Sequence, residues 1–168
     1  NEAVENDNME QILGMVGGHP SRVRSIILRQ NGIKKRYYSL DIEGKIVYTN
    51  AELTAIAVNK LFDQAISFKD IDLLACGTSL PDQLFPSHAV MTHGLLGNKP
   101  IDLLSPSGVC CAGMHAFKHA YLSVLSGMSQ NAVSTGSELV SPVLRADNFE
   151  EEYKMLSLVE EKPIIAFE

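Results

Sequence analysis

The sequence has few cysteines, no long apolar run and no excess of positive charge. Its three cysteines, two of them adjacent, are too few for a disulfide framework, which favours a reducing cytoplasm. A membrane-spanning helix needs about 20 consecutive apolar residues, and no segment offers them. No basic and then apolar leader opens the chain, so we expect no export signal. The net charge of −6 argues against general nucleic-acid binding, and the 168 residues are predicted to form a single domain over 1–168.

The charges are unevenly distributed along the chain. Residues 21–36 (SRVRSIILRQNGIKKR) are strongly basic, and residues 147–162 are strongly acidic. Either stretch can be a solvated face, and the basic one can equally bind a phosphate or an acidic carrier protein. The basic stretch is predicted to be a short amphipathic helix that ends at Gly32.

Short apolar runs alternate with helical patterns through the middle of the chain. This order predicts a β-α-β-α-β segment, and therefore an α/β fold with a mostly parallel sheet and helices on its faces. The strands are predicted at 71–77, 100–105 and 131–138, and the helices between them at 85–97 and 111–127.

Helix details follow from caps and periodicity. An earlier helix should begin at Thr49, which has capping-box spacing to Glu52. Pro86 is predicted in the first turn of the 85–97 helix, and Gly97 just past its end. Two apolar stripes are predicted to face the core. They are Leu53, Ile56, Ala57, Leu61 and Ala65 in the first helix, and Met114, Phe117, Tyr121, Val124 and Leu125 in the 111–127 helix.

Cys111 falls at the start of the 111–127 helix, where a turn rich in Pro, Ser and Gly ends. The unpaired N–H groups of a helix N-terminus stabilise an anion, so the thiolate form is favoured there and a nucleophile is indicated. The N–H of Cys111 itself is a candidate donor to a developing oxyanion. The alternative is a small residue packed at a strand–helix junction. Cys110 is predicted to point into the core, and Cys76 to be structural.

A metal site is a weaker interpretation of the cysteines and histidines. His115 and His119 are four residues apart on a helix, but adjacent cysteines suit one metal poorly and no CxxC pair exists. We expect neither a metal nor a cofactor, and assign His88 and His93 to packing.

Three segments resemble the N-terminal half of β-ketoacyl-acyl-carrier-protein synthase III, which has the thiolase fold. They are GTSLPDQLFPSHAVMTHGLLG (77–97), IDLLSPSGVCCAGMHAFKHAYLSVLSG (101–127) and AVSTGSELVS (132–141), and RQNGIKKRYY (29–38) resembles the family's R-T-G-I-x-x-R segment. The resemblance implies a decarboxylative Claisen condensation, in which Cys111 accepts an acyl group from a thioester.

The resemblance also implies binding residues and partners. Phe85 matches a position that lines the partner subunit's acyl tunnel, and Pro86 and Met114 are placed with it in the acyl-binding region. The basic segment matches the region that meets coenzyme A or the carrier protein. Its candidate contacts are Arg22, Arg24, Arg29, Lys35 and Arg36. The implied partners are acyl carrier protein, acyl-CoA or both, with a homodimer at full length and neither nucleic acid nor membrane.

Two of the sequence's departures from the family pattern bear on what the chain can do. The family's active site also needs a His and an Asn from a second, homologous half that no segment here repeats, so we expect a fragment that does not catalyse condensation alone. The tryptophan that typically precedes the R-T-G-I segment is absent, which favours a carrier-bound or unusual acyl donor. Related condensing enzymes of the same fold remain open, and so does a non-catalytic thiolase-like subunit or carrier-protein interaction module.

Overall fold

The structure is a computed structural model that describes residues 2–20, 24–63, 65–97 and 99–161, with side chains up to 156. Its strands are β1 (Val4–Glu5), β2 (Lys35–Arg36), β3 (Leu73–Gly77), β4 (Asp102–Leu104) and β5 (Ala132–Gly136). Its helices are α1 (Met9–Leu13), α2 (Arg24–Asn31), α3 (Asn50–Asn59), α4 (His88–Leu96), α5 (Ala112–Leu125) and α6 (Glu150–Glu161). None of these helices is both long enough and apolar enough to cross a bilayer.

The described chain divides into two compact units. The terminal unit comprises the residues up to 47 and from 140 onwards, and the central unit comprises residues 48–139. The prediction of one domain over the whole chain stays a prediction. In the terminal unit β1 and β2 pair antiparallel, and the Glu150 carboxylate accepts a hydrogen bond from the Gly17 amide at 3.0 Å. That bond joins the beginning of the chain to α6.

The central unit contains a parallel three-stranded sheet in the order β4-β3-β5. Leu74 pairs with Leu103 on one side and with Val133 on the other. Every residue of β3 is buried, because this strand lies in the middle of the sheet. The predicted β-α-β-α-β order and parallel pairing are confirmed. The core cluster contains Val58, Ile71, Leu74, Cys76, Ala89 and Val133.

The start of α3 is confirmed, but its predicted buried stripe is wrong. Thr49 and Glu52 form the capping box reciprocally, as expected from their spacing. The helix ends at Asn59, so Leu61 and Ala65 lie beyond it, and Ile56 is 41% exposed. Its buried face consists of small and hydrogen-bonded residues, which allow close packing that a count of large apolar residues overlooks. These residues are Asn50, Ala51, Thr54, Ala55 and Val58.

The helices on either side of β4 also depart from the prediction. Ser87 occupies the N-cap position of α4, which begins at His88, so Pro86 precedes the helix; Gly97 follows its last residue, as predicted. The predicted apolar side of α5 is exposed, with Phe117 and Tyr121 at 56% and 57%. Alanine makes the packed face because α5 lies close to the sheet. The buried residues of α5 are Ala112, Ala116, Ala120 and Ser123.

Three glycines set the distance between α5 and the sheet. Gly77 ends β3, Gly136 ends β5 and Gly113 lies in the first turn of α5. A Cβ at Gly77 would overlap the carbonyl of Ala112 and lie 2.6 Å from the Gly113 nitrogen. A Cβ at Gly113 would lie 3.1 Å from the Gly136 Cα. The first turn of α5 therefore rests on the strand ends backbone to backbone.

We expect Gly77→Ala to destabilise the protein by about 1–3 kcal/mol, the usual cost of overpacking a core. The added methyl group meets backbone atoms of Ala112, which cannot rotate away as a side chain would. Chemical denaturation of wild type and variant measures the change in the free energy of unfolding.

Gly94→Ala is the matched control for this substitution. Gly94 lies inside α4, and no atom lies within 4 Å of the Cβ it would gain. An alanine there should stabilise by up to about 1 kcal/mol through helix propensity. Equal stability of Gly77→Ala and wild type would contradict the close-contact argument.

Candidate functional site

Cys111 is the N-cap residue of α5 and is exposed to solvent. The turn that precedes it has two residues at positive φ, Gly108 at 150° and Cys110 at 63°. The amide of Ala112 donates to the carbonyl of Gly108 at 3.1 Å, and the amide of His115 donates to the carbonyl of Cys111 at 2.9 Å. The predicted position of Cys111 at a helix start is confirmed; its role stays a prediction. We call residues 105–111 the cysteine turn.

The suggestion that the Cys111 amide serves an oxyanion is wrong for this conformation. That N–H donates to the carbonyl of Val109 at 2.8 Å. Helix geometry leaves the amides of Gly113 and Met114, which come next in the first turn of α5, without a carbonyl inside the helix to bond. These two amides, with the helix dipole, are the groups that favour an anion at this end of α5.

The other two cysteines differ sharply from each other in exposure. Cys110 is exposed, so its predicted core position is wrong: its left-handed backbone places it in the turn ahead of α5 and not on the buried face of the helix. Cys76 is fully buried in β3, as predicted. Burial raises the pKa of the Cys76 thiol, which makes Cys76 a poor nucleophile.

An open cavity of about 260 Å³ lies at the carboxyl ends of β3 and β5. Parallel sheets commonly bind ligands at this edge, because loops and helix N-termini meet there. Cys110 and Ala112 line the cavity, and Cys111 lies between them in the chain. The lining residues are Gly77, Thr78, Ser79, Cys110, Ala112, Gly113, Gly136, Ser137 and Glu138.

Glu138 holds the loop after β3 against the end of β5. Its carboxylate accepts hydrogen bonds from the Thr78 hydroxyl at 2.6 Å and from the amides of Ser79 and Leu80 at 2.8 and 2.9 Å. Partial burial acts to raise the pKa of Glu138, but the hydrogen bonds from Thr78, Leu80 and Ser79 outweigh it and the pKa is lowered. Glu138 is therefore ionised at neutral pH, and we call its carboxylate with these hydrogen bonds the clamp.

The same loop is bonded to the cysteine turn. The Ser79 hydroxyl donates to the carbonyl of Gly108 at 3.1 Å, and the Thr78 amide donates to the carbonyl of Pro106 at 3.3 Å. The Gly108 carbonyl also accepts from Ala112, so one oxygen links the loop to the first turn of α5. A chain of hydrogen bonds thus connects Glu138 to the backbone that carries Cys111. Glu138 is not among the predicted site residues, although an acid as the last residue of a predicted strand was the available signal.

A buried polar network lies behind the cavity wall. His88 is 1% exposed, and its Nε2 lies 3.2 Å from the Thr54 hydroxyl and 3.1 Å from the Ser137 hydroxyl. The amide of the Asn50 side chain donates to Thr78 at 3.0 Å. Desolvation lowers the pKa of His88 against the opposing charges of Asp82 and Glu138, so the ring is neutral near pH 7. The predicted packing role of His88 is confirmed.

The residues assigned to an acyl tunnel lie on the surface of the central unit. Phe85 and Pro86 come just before α4 and Met114 lies in the first turn of α5. All three are exposed, Phe85 at 87% and Met114 at 66%. None of the three lines the cavity beside Cys110. Their assignment to acyl binding stays a prediction.

The basic residues belong to the terminal unit, and acids of the same unit pair with several of them. Arg24 is 2.7 Å from Glu10 and 3.3 Å from Asp7, and Lys35 is 3.4 Å from Glu5. Arg36 donates to the Asn6 side chain, and Arg29 lines a cavity of about 430 Å³ together with Arg24. Arg22 lies outside the described residues. The described part of the basic segment is thus less available to an outside anion than its composition suggests.

Histidine and cysteine do not assemble into a metal site within the described part of the chain. No group of three or more His, Cys, Asp or Glu side chains there is arranged to hold a metal ion. His115 and His119 are both exposed on α5.

Curated relatives share this sequence pattern over most of the chain. A β-ketoacyl-[acyl-carrier-protein] synthase III from Allorhizobium ampelinum is 32% identical over 119 residues, which are 70% of this chain and 35% of the relative. One from Clostridium perfringens strain SM101 is 30% identical over 142 residues, 84% of this chain and 40% of the relative. Over 70–84% of its length the chain is homologous to proteins of the β-ketoacyl-acyl-carrier-protein synthase III family. It spans 35–40% of the length of these relatives, and no protein-family model matches it.

Two solved structures have the same fold as this chain. The tetronic acid condensing enzyme AbyA1 superposes with a TM-score of 0.72 at 24% identity, over 84% of this chain and 41% of that one. The β-ketoacyl-[acyl-carrier-protein] synthase III of Thermus thermophilus gives a TM-score of 0.64 at 22% identity, over 84% and 40%. The expected thiolase-like α/β fold is confirmed.

We expect Glu138→Gln to lower the free energy of unfolding by about 1 kcal/mol, the low end for hydrogen bonds to a charge, because this carboxylate is exposed. The hydrogen bonds of the Glu138 carboxylate contribute fully to stability at pH values above 4.5, the ordinary pKa of Glu. That contribution is lost as the pH falls through the lowered pKa of Glu138 in the folded state. The difference between variant and wild type should therefore vanish in acid. Denaturation at pH 7 and below pH 4 measures it.

Asp102→Asn is the control for Glu138→Gln, because Asp102 is an exposed acid at the start of β4. It should change stability at pH 7 by less than about 0.5 kcal/mol, as is usual for surface substitutions. A Glu138→Gln variant as stable as this control would show that the clamp contributes nothing.

We expect the free energy of unfolding to fall as pH drops below 6.5, the ordinary pKa of histidine. Below that pH the His88 side chain takes up a proton in the unfolded chain, whereas in the folded protein its lowered pKa keeps it neutral. The slope is up to about 1.4 kcal/mol per pH unit until the lowered pKa of the folded state is reached. His88→Gln should remove this slope, whereas His115→Gln, on the exposed face of α5, should retain it. Melting curves between pH 7.5 and 5 measure it, and an unchanged slope in His88→Gln would contradict the assignment.

Proposed function

We propose that this chain carries the acyl-accepting nucleophile of an acyl-thioester condensing enzyme, and that the nucleophile is Cys111. One observation carries the proposal: Cys111 is exposed at the N-terminus of the 14-residue helix α5, beside an open cavity at the carboxyl ends of two parallel strands. Homology to β-ketoacyl-acyl-carrier-protein synthases III supports it.

The first step is acyl transfer to sulfur. The Cys111 thiolate attacks the carbonyl carbon of an acyl thioester, the new S–C bond forms, and the donor's C–S bond breaks. The donor leaves as a thiolate and takes up a proton. Negative charge develops on the carbonyl oxygen in between, and amides at the start of α5 can stabilise it.

The second step is carbon–carbon bond formation. A malonyl-carrier thioester loses carbon dioxide, and the resulting carbanion attacks the acyl-cysteine carbonyl. The Cys111 thiolate leaves and is ready for another cycle. The resemblance implies that the condensation site also needs a His and an Asn, which correspond to no residue of these 168. We therefore infer that this chain performs the acylation step and needs those residues for the condensation.

Partners and location follow as part of the same proposal. Acyl carrier protein or acyl-CoA would deliver the acyl group, with the basic residues of the terminal unit as phosphate contacts. The 87% exposure of Phe85 supports its role at a subunit boundary, where it would line the partner subunit's acyl tunnel in a homodimer. A cytoplasmic enzyme of fatty-acid or polyketide-type biosynthesis is the corresponding setting.

We expect incubation with acyl-CoA and acyl-carrier thioesters to add one acyl group to Cys111 of the full 168-residue chain. Intact mass followed by peptide mapping measures the adduct and its position. Cys111→Ala should show no adduct, whereas Cys110→Ser should still be acylated on Cys111. Buried Cys76 should stay unmodified in every sample.

Other outcomes would assign a different role to the chain. An adduct on Cys110 that survives in Cys111→Ala would move the nucleophile by one residue. No adduct on a folded chain that still binds carrier protein would favour the non-catalytic thiolase-like subunit or interaction module.

A further inference from the structure

We propose that Cys110 and Cys111 form a reversible disulfide bond with each other, which makes the cysteine turn a site of oxidative modification. Of the three cysteines, these two are exposed, and Cys76 is buried in the sheet and out of reach. Neither the resemblance nor the acyl-transfer chemistry uses a second thiol next to the nucleophile.

The backbone of the cysteine turn departs from the helical geometry that keeps neighbouring side chains apart. Consecutive residues inside a helix point in different directions and do not face each other. Cys110, however, precedes α5 and has a left-handed φ of 63°, so only Cys111 is held at the helix end. The Cys111 sulfur is directed back over the turn, since it lies 3.3 Å from where a Cβ of residue 108 would be. The turn that carries Cys110 is thus the surface over which the Cys111 thiol lies.

The bond would be strained and therefore easy to reduce. Adjacent Cα atoms across a trans peptide are about 3.8 Å apart, whereas disulfides usually join Cα atoms about 4.4–6.8 Å apart. Strain raises the reduction potential of a disulfide, and strained, exposed disulfides are the labile ones. A cellular dithiol should therefore restore both thiols, as a reversible modification requires.

Hydrogen peroxide is a sufficient oxidant for the reaction. The Cys111 thiolate attacks one peroxide oxygen, the O–O bond breaks, and Cys111 becomes a sulfenic acid with release of hydroxide. The Cys110 sulfur then attacks the Cys111 sulfur, the S–O bond breaks, and a second hydroxide leaves. With the protons of the two thiols, the balance is one peroxide consumed, one disulfide formed and two waters released.

The consequence for activity rests on the proposed function. If Cys111 accepts acyl groups, the disulfide blocks acylation and at the same time protects the sulfur from irreversible oxidation to the sulfinic acid. The formation of the disulfide does not depend on that role. Its measurement is therefore independent of any acyl donor.

The test treats the reduced 168-residue chain with equimolar hydrogen peroxide and then alkylates the remaining thiols after denaturation. Untreated protein should take up three alkyl groups, and oxidised protein one, on Cys76. The peptide that contains Cys110 and Cys111 should lose two hydrogens, the chain should remain monomeric on a non-reducing gel, and dithiothreitol should restore all three thiols.

Two variants separate this pairing from other oxidation. In Cys110→Ser, one equivalent of peroxide should leave Cys111 as a sulfenic acid, and a second equivalent should oxidise it to a sulfinic acid that dithiothreitol does not reverse. In Cys111→Ser, Cys110 should be oxidised at least tenfold more slowly, because it lacks the helix N-terminus. A sulfinic acid on Cys111 of the wild type beside a free Cys110, or a disulfide between two chains, would overturn the proposal. A disulfide without any acyl adduct in the reduced protein would overturn the proposed function and leave this inference standing.

Discussion

The first turn of α5 touches the ends of β3 and β5 backbone to backbone, and the arrangement of the central unit depends on this contact. Gly77, Gly113 and Gly136 permit it, since a Cβ at any of them would meet neighbouring backbone. The contact fixes where α5 begins relative to the sheet, and so it fixes the position of Cys111. It also explains the alanines on the buried face of α5, because a helix held this close leaves no room for larger side chains.

Hydrogen bonds hold the cysteine turn in place, in addition to the close contact between α5 and the strand ends. The cysteine turn has two residues at positive φ and lies on the surface, so it would be pliable without external support. Glu138 bonds the loop after β3, and Ser79 of that loop bonds Gly108 of the turn. Cys111 is thereby exposed on a turn that is held by packing on one side and by hydrogen bonds on the other. An exposed thiol needs such a support if its reaction is to have a fixed geometry.

Much of this arrangement could be predicted from the sequence, and the limits have physical causes. The strand and helix order and the place of Cys111 follow from local signals, namely apolar runs, glycine stops and the Thr49 capping box. The buried faces of α3 and α5 do not follow from hydrophobicity alone, because close packing selects alanine and hydrogen-bonded threonine over larger apolar residues. The recurrence of alanine at 112, 116 and 120, four residues apart, was the signal for the face of α5. Glu138 and Ser79 are separated by 59 positions, and no local pattern reports such a pairing.

The two thiols of the cysteine turn differ in what holds them. Two backbone hydrogen bonds hold Cys111: its amide donates to the carbonyl of Val109, and its carbonyl accepts from the amide of His115. Cys110 adopts a backbone conformation that residues with a side chain rarely occupy, and it lines the cavity. A glycine would adopt that conformation more readily, so packing and turn geometry do not explain a cysteine at position 110. The disulfide bond proposed with Cys111 would give the residue at position 110 a role that packing and turn geometry do not.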